Sequence, residues 1–286
     1  MTEGERNGII DYKGEKMEKI RRAVVAGYFY PDKKSHLLKM LENFIEENAE
    51  KEKAKAVVVP HAGYIYSGKT AGVTYSRVVI PETVIILGPN HTGYGEPFAV
   101  SSHDKWETPI GEIEIDKELV EKLVEKSRYL EEDTVAHERE HSIEVQIPFL
   151  QVLKKDVKIV PITLEGYVDN PAWIEIGESI GEVIKESGKE ILIVASSDMT
   201  HYEPHNVAEE KDNYAIEAIK ILDENLLIQR IYEKNISMCG YAPVITAIVA
   251  SKYLGAKEGK LLRYSTSGET SGDYGQVVGY AGMIIL

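Results

Sequence analysis

Three histidines sit where a polar turn follows an apolar run. They are His61 in Pro60-His61-Ala62-Gly63-Tyr64, His91 in Gly88-Pro89-Asn90-His91, and His201 in Ser196-Ser197-Asp198-Met199-Thr200-His201. Imidazole is the commonest protein metal ligand and also an acid or base near neutral pH, so position alone leaves both roles open. One such histidine reads as an ordinary loop residue; three after three apolar runs read as a shared site. Ser237-Met238-Cys239-Gly240-Tyr241 adds the sole cysteine, just ahead of an apolar stretch over 242–254. A helix N-terminus there favours a thiolate, against the plainer reading of a small buried hydrophobe. Met199 and Met238 offer soft sulfur contacts, although core packing explains each more simply.

Two other chemistries compete. His137-Glu138-Arg139-Glu140-His141 spells the HExxH pattern of zinc proteases, which needs both histidines on one helix face. Its variable positions are both charged and Pro148 limits a helix downstream, so the protease reading is disfavoured. Cys239, His201 and Asp198 could instead form a nucleophile, base and orienting acid, since Asp198 and His201 are three residues apart. That reading leaves His61 and His91 without a role and has no evident oxyanion motif.

The apolar pattern supplies the frame. Residues 56–59, 83–87, 157–160 and 191–194 are short apolar, β-branched runs, as expected of strands buried on both faces. Helical spacing covers 37–45, with Asp32 as the expected cap, and then 67–79, 116–126, 171–185, 207–222 and 241–254. Residues 261–264 and 276–285 read as closing strands. The alternation predicts an α/β fold with a mixed, mostly parallel central sheet flanked by helices. Residues 1–20 read as a polar N-terminal segment and 21–286 as a single domain. Ligands of open α/β sheets bind outside the carboxyl ends of the strands, so the three histidines are expected on one rim. Residues 104–109 and 267–273 read as loops near that rim.

Composition narrows the function. The 286 residues carry 47 acidic and 33 basic side chains, a formal charge of −14, which opposes binding to nucleic-acid phosphates. No run approaches the roughly 20 apolar residues of a membrane span. Residues 1–19 lack the apolar core of a secretion signal, and one cysteine excludes an intrachain disulfide. A cytoplasmic protein is expected, with no nucleotide cofactor, no nucleic acid and no membrane as partner.

Taken in order, these segments, with Glu140-His141-Ser142-Ile143-Glu144-Val145-Gln146 among them, resemble the Memo family. This is also protein B of the AmmeMemoRadiSam system, found with AMMECR1-like and radical SAM proteins. The motifs run from Gly27-Tyr28-Phe29-Tyr30-Pro31 almost to the C-terminus. The family is similar in fold to class III extradiol dioxygenases, non-haem iron enzymes whose metal is held by two histidines and a glutamate. The resemblance puts His61 and His91 at the histidine-ligand positions and His201 at the acid–base position, with Asp198 orienting it or hydrogen-bonding in the pocket. Cys239 takes the place of the glutamate. A thiolate is softer than a carboxylate and shifts preference toward copper or zinc, while the likeness to the iron enzymes implies a redox metal; iron or copper is therefore expected, zinc less so, in a redox role other than catechol ring cleavage. Tyr64, Asn90, His141 and Glu144 are expected to line the pocket. Eukaryotic members are cell-motility mediators that bind a phosphotyrosine-containing receptor segment, so the resemblance equally allows a small-molecule or peptide-binding module without turnover.

Overall fold

The computed structural model describes residues 18–166 and 171–286. The chain runs through β1 (Ile20–Arg21), α1 (Lys34–Phe44), β2 (Ala56–Val59), α2 (Tyr64–Ser76) and β3 (Thr83–Pro89). Three short strands follow, β4 (Phe98–Ser101), β5 (Lys105–Thr108) and β6 (Gly111–Glu114), then α3 (Lys117–Lys126), β7 (Glu131–Asp133) and α4 (Val135–Glu138). A 3₁₀ turn (Glu144–Gln146) leads into α5 (Ile147–Leu153), β8 (Lys158–Leu164), α6 (Ala172–Ser187), β9 (Ile191–Ser196) and β10 (His201–Glu203). The last part is α7 (His205–Lys220), α8 (Glu224–Lys234), α9 (Tyr241–Tyr253), β11 (Gly259–Thr266), α10 (Gly268–Ser271) and β12 (Val277–Ile285).

The apolar runs become the middle of a nine-stranded sheet ordered β10-β12-β2-β9-β3-β8-β4-β7, with β11 beside β12. Its centre, β2-β9-β3-β8, is parallel, and both flanks turn antiparallel. Every residue of β2, β3 and β9 is buried, which is why these strands read as unbroken apolar runs. α6 and α9 pack together, and α9 covers β9 and β3. The register sets Val59 beside Ser196 and Leu87 beside Ala195. The carboxyl ends of β2, β9 and β3 therefore lie side by side.

Several expectations need correcting. Asp32 does not cap α1: the cap position is Lys33, and no side chain bonds there. α2 starts at Tyr64, directly after Gly63, so the turn carrying His61 feeds straight into a helix. Residues 104–109 form no rim loop; Trp106 is fully buried in β5, in a small sheet ordered β1-β5-β6. Ile20 already pairs with Lys105, so the ordered sheet begins inside the segment read as polar; the rest of that segment, 1–17, lies outside the described residues. Among the described residues no helix is long and apolar enough to cross a membrane.

Candidate metal centre

β2, β9 and β3 each end in one of the polar turns, and their adjacency draws those turns together. His61 follows β2 and is almost fully buried. Its Nδ1 lies 2.9 Å from Ser196 Oγ, and its Nε2 lies 3.2 Å from Cys239 Sγ. Asp198 ties the β2 turn to the β9 turn: its Oδ1 accepts from the backbone N–H of His61 at 2.8 Å and of Ala62 at 3.3 Å. Cys239 arrives on the turn before α9, and Asp198 N–H donates to its sulfur at 3.3 Å. Gly240 makes this approach feasible, because a Cβ there would collide with the Ser196 carbonyl and the Ser197 side chain. Its N–H donates to Ser197 Oγ at 3.0 Å.

His91 follows β3. Glu140 holds it twice, accepting from the backbone N–H at 2.6 Å and pairing with Nδ1 at 3.0 Å. An ionised carboxylate can only accept, so Nδ1 carries the proton and the Nε2 lone pair is free. His141 stacks on His91, with ring centroids 4.7 Å apart, and meets His61 edge-on at 5.5 Å. The His61 and His91 rings are 5.2 Å apart. The His91 side chain is 32% exposed and Glu140 is fully buried, so the site is closed behind and open in front.

Burial, followed by the neighbouring imidazoles, holds His61 neutral, well below its ordinary range. Burial also works against a charge on His91, but the hydrogen bond and charge of Glu140 win, and His91 is raised. Glu140 is pushed up by burial yet falls to about 2, because His91, His141 and backbone N–H groups favour its anion. Burial, then the nearby Asp198, pushes the Cys239 thiol well up. Asp198 itself rises to about 6, mainly through burial, with backbone donors and His201 opposing.

One ligand atom each from His61, His91 and Cys239 lies within 4.8 Å of the others, and a second group joins His91, Glu140 and His141. Metal–nitrogen and metal–sulfur bonds of about 2.0–2.3 Å suit the first group after a small side-chain adjustment. The second group already satisfies itself: Glu140 accepts from His91 and from the N–H groups of His141 and Ser142.

The other expected site residues fall into two sets. His201 stands at the rim, partly exposed; its N–H and Nδ1 bond Ser237 Oγ and the Ser237 carbonyl at 2.8 and 2.9 Å. Since a carbonyl only accepts, Nδ1 is the donor and Nε2 can take a proton. Asp198 therefore does not orient His201; Ser237 does. Two pocket expectations, Tyr64 and Glu144, are corrected, and the third, Asn90, is placed by its loop bonds alone. Tyr64 is core, its hydroxyl donating to the Val145 carbonyl at 2.6 Å. Asn90 folds its own loop, accepting from Thr92 and Gly93. Glu144 is fully buried and receives Arg21, Tyr30 and the backbone N–H groups of Val24 and Val25.

The HExxH reading fails geometrically. α4 ends at Glu138, and His137 is sealed inside with Nε2 on the Ala99 carbonyl and its ring against Trp106. Met199 and Met238 are buried core residues. Ser196, Gln146 and Ser237 also stand inside the motifs, but nothing local marks their roles, because their partners are distant in sequence. Glu140 stood in view as part of a motif, with nothing local to mark its hold on His91.

Fold and site together define a mixed α/β protein with a candidate His/Cys metal centre at the carboxyl ends of its parallel strands. The chain belongs to the Memo-like protein family, whose model matches residues 21–284. A MEMO1 family protein of Aquifex aeolicus (strain VF5) is 48% identical over 270 residues, covering 94% of this chain and all of the relative. Another from Methanosarcina barkeri is 46% identical over 268 residues, covering 93% of this chain and 100% of its own length. A crystal structure of an uncharacterized protein from Escherichia coli K12 superposes with a TM-score of 0.53 at 15% identity, over 80% of this chain and 98% of that one. That last likeness concerns the fold alone.

Proposed function

We propose that the protein holds one transition-metal ion, iron or copper ahead of zinc, through His61 Nε2, His91 Nε2 and Cys239 Sγ, and uses it in a redox reaction on a small molecule. The observation that carries this reading is the convergence of three donors within 4.8 Å, from three separate turns, in a closed-backed and open-fronted site. The donor set is two imidazoles and one thiol, a mixture that suits iron, copper or zinc and not magnesium or calcium. Such an ion, when bound, supplies Lewis acidity and, if redox-active, an electron store. The chain's own contribution is positional. Glu140 orients His91, Asp198 joins the turns, and His201 Nε2 offers a proton acceptor at the rim.

A cysteine hydrolase is less well supported. Asp198 is engaged with backbone amides, His201 Nδ1 with a carbonyl, and the Cys239 thiol is pushed up instead of down. A reducing cytoplasm, which would keep the lone thiol available, is the compartment this reading expects, with AMMECR1-like and radical SAM proteins as associates.

The test is elemental analysis of protein purified without chelator. The wild type is expected to carry close to one equivalent of metal, His61→Ala and Cys239→Ser to lose it, and His137→Ala to retain it. Metal retained at wild-type level in both of the first two variants would overturn the assignment.

A further inference from the structure

Behind His61 runs a buried hydrogen-bond chain with only one consistent direction. The carbonyls of Ser142 and Pro60 can only accept. Ser196 Oγ lies 2.7 Å from the Ser142 carbonyl, so its single proton points there. The Gln146 side-chain nitrogen lies 3.1 Å from the Pro60 carbonyl and 2.8 Å from Ser196 Oγ, so both amide protons are directed to those atoms. That fixes the amide orientation and turns Gln146 Oε1 toward Tyr75, whose hydroxyl donates to it at 2.9 Å. Ser196 Oγ has then given its proton and received one from Gln146. Its remaining lone pair faces His61 Nδ1 at 2.9 Å, and only an N–H satisfies that contact. His61, Tyr75, Ser142, Gln146 and Ser196 are each at most 2% exposed, so water cannot substitute.

We propose that Ser196 and Gln146 are positioning residues that lock His61 in the Nδ1–H tautomer, so that its Nε2 lone pair faces Cys239. The consequence for metal binding rests on the function proposed above; the tautomer itself does not. The 140–146 segment then backs both histidines by different means. Glu140 grips His91 with a full negative charge, whereas Ser142 and Gln146 hold His61 through a neutral hydroxyl. A neutral backer fixes orientation while adding little basicity, so the two imidazoles are unequal donors by construction.

The test uses metal-free full-length protein labelled with ¹⁵N-histidine. Two-bond ¹H–¹⁵N correlations separate protonated from unprotonated ring nitrogens, and His61→Ala assigns the His61 signals. The wild type is expected to show Nδ1 protonated and Nε2 unprotonated. Ser196→Ala is expected to populate the Nε2–H form and to weaken zinc affinity by about 10–100-fold in a chelator competition. An Nε2–H pattern in the wild type overturns the lock, and so does an unchanged Nδ1–H pattern in folded Ser196→Ala. Because the wild-type spectrum can overturn it alone, a poorly folding variant does not shield it. Should the wild type show Nδ1–H yet bind none of iron, copper and zinc, the metal reading falls and the lock stands.

Discussion

At the scale of single residues, Glu140 is the charge on which His91 depends. Fully buried, it stays ionised because His91 and backbone N–H groups surround it. Glu140→Gln keeps the shape and removes the charge, and is expected to weaken zinc affinity about 10–100-fold by chelator competition. An affinity within a factor of two of wild type would contradict this role. The Cys239 thiol, pushed up by burial, must release its proton when metal binds. Affinity should therefore rise about tenfold per pH unit below the thiol's raised value, and fall correspondingly in acid. A flat profile between pH 6 and pH 8 would exclude the thiolate as ligand. His61, His91 and Cys239 were legible because each follows or precedes an apolar run that must be buried. Ser196 and Gln146 were not, because their meaning lies in partners 50 or more residues away. The motifs do not reveal that Tyr64 and Glu144 face the core, because a motif shows proximity in sequence, not which way a side chain points.

Elements bring these residues together, and two of them depend on buried specifics. Arg21 of β1 pairs with Glu144 and reaches the carbonyls of His137 and Glu140, with its guanidinium over Trp106 at 4.4 Å. This pins the first strand to the segment that backs both histidines. Arg21→Ala leaves the Glu144 charge buried and unpaired, and is expected to cost about 3–5 kcal/mol in denaturant unfolding. A cost below about 1 kcal/mol would show that the pair anchors nothing. The close packing at Gly240 gives a second check. Gly240→Ala forces Cys239 away from the β9 turn and should remove bound metal while leaving far-ultraviolet circular dichroism unchanged. Retained metal would mean the turn can yield. The long buried strands were readable from β-branched runs alone. β4 to β7 are not, since each is only three or four residues long and β5 to β7 are rich in charge.

For the molecule as a whole, the parallel centre of the sheet turns three sequence-distant loops into one corner, and the buried histidines behind it tie stability to pH. Burial, with His103 and Arg21 nearby, lowers His137 to about 3, against about 6.5 for an exposed histidine. His103 is lowered in the same direction, to about 4, again chiefly by burial. As pH falls below about 6.5, the unfolded chain binds protons that the fold refuses, so stability is lost from there down toward the lowered values. His137 alone should remove up to about 1.4 kcal/mol per pH unit within that window, and His137→Phe should flatten the slope between pH 6 and pH 4. Equal slopes in denaturant unfolding would rule His137 out as a source. The central claim is a single ion shared by His61, His91 and Cys239, and X-ray absorption at the metal edge addresses it most directly. The wild type should show one sulfur neighbour alongside imidazole nitrogens, and Cys239→Ser should lose the sulfur. A wild-type spectrum with only nitrogen and oxygen neighbours would contradict the account.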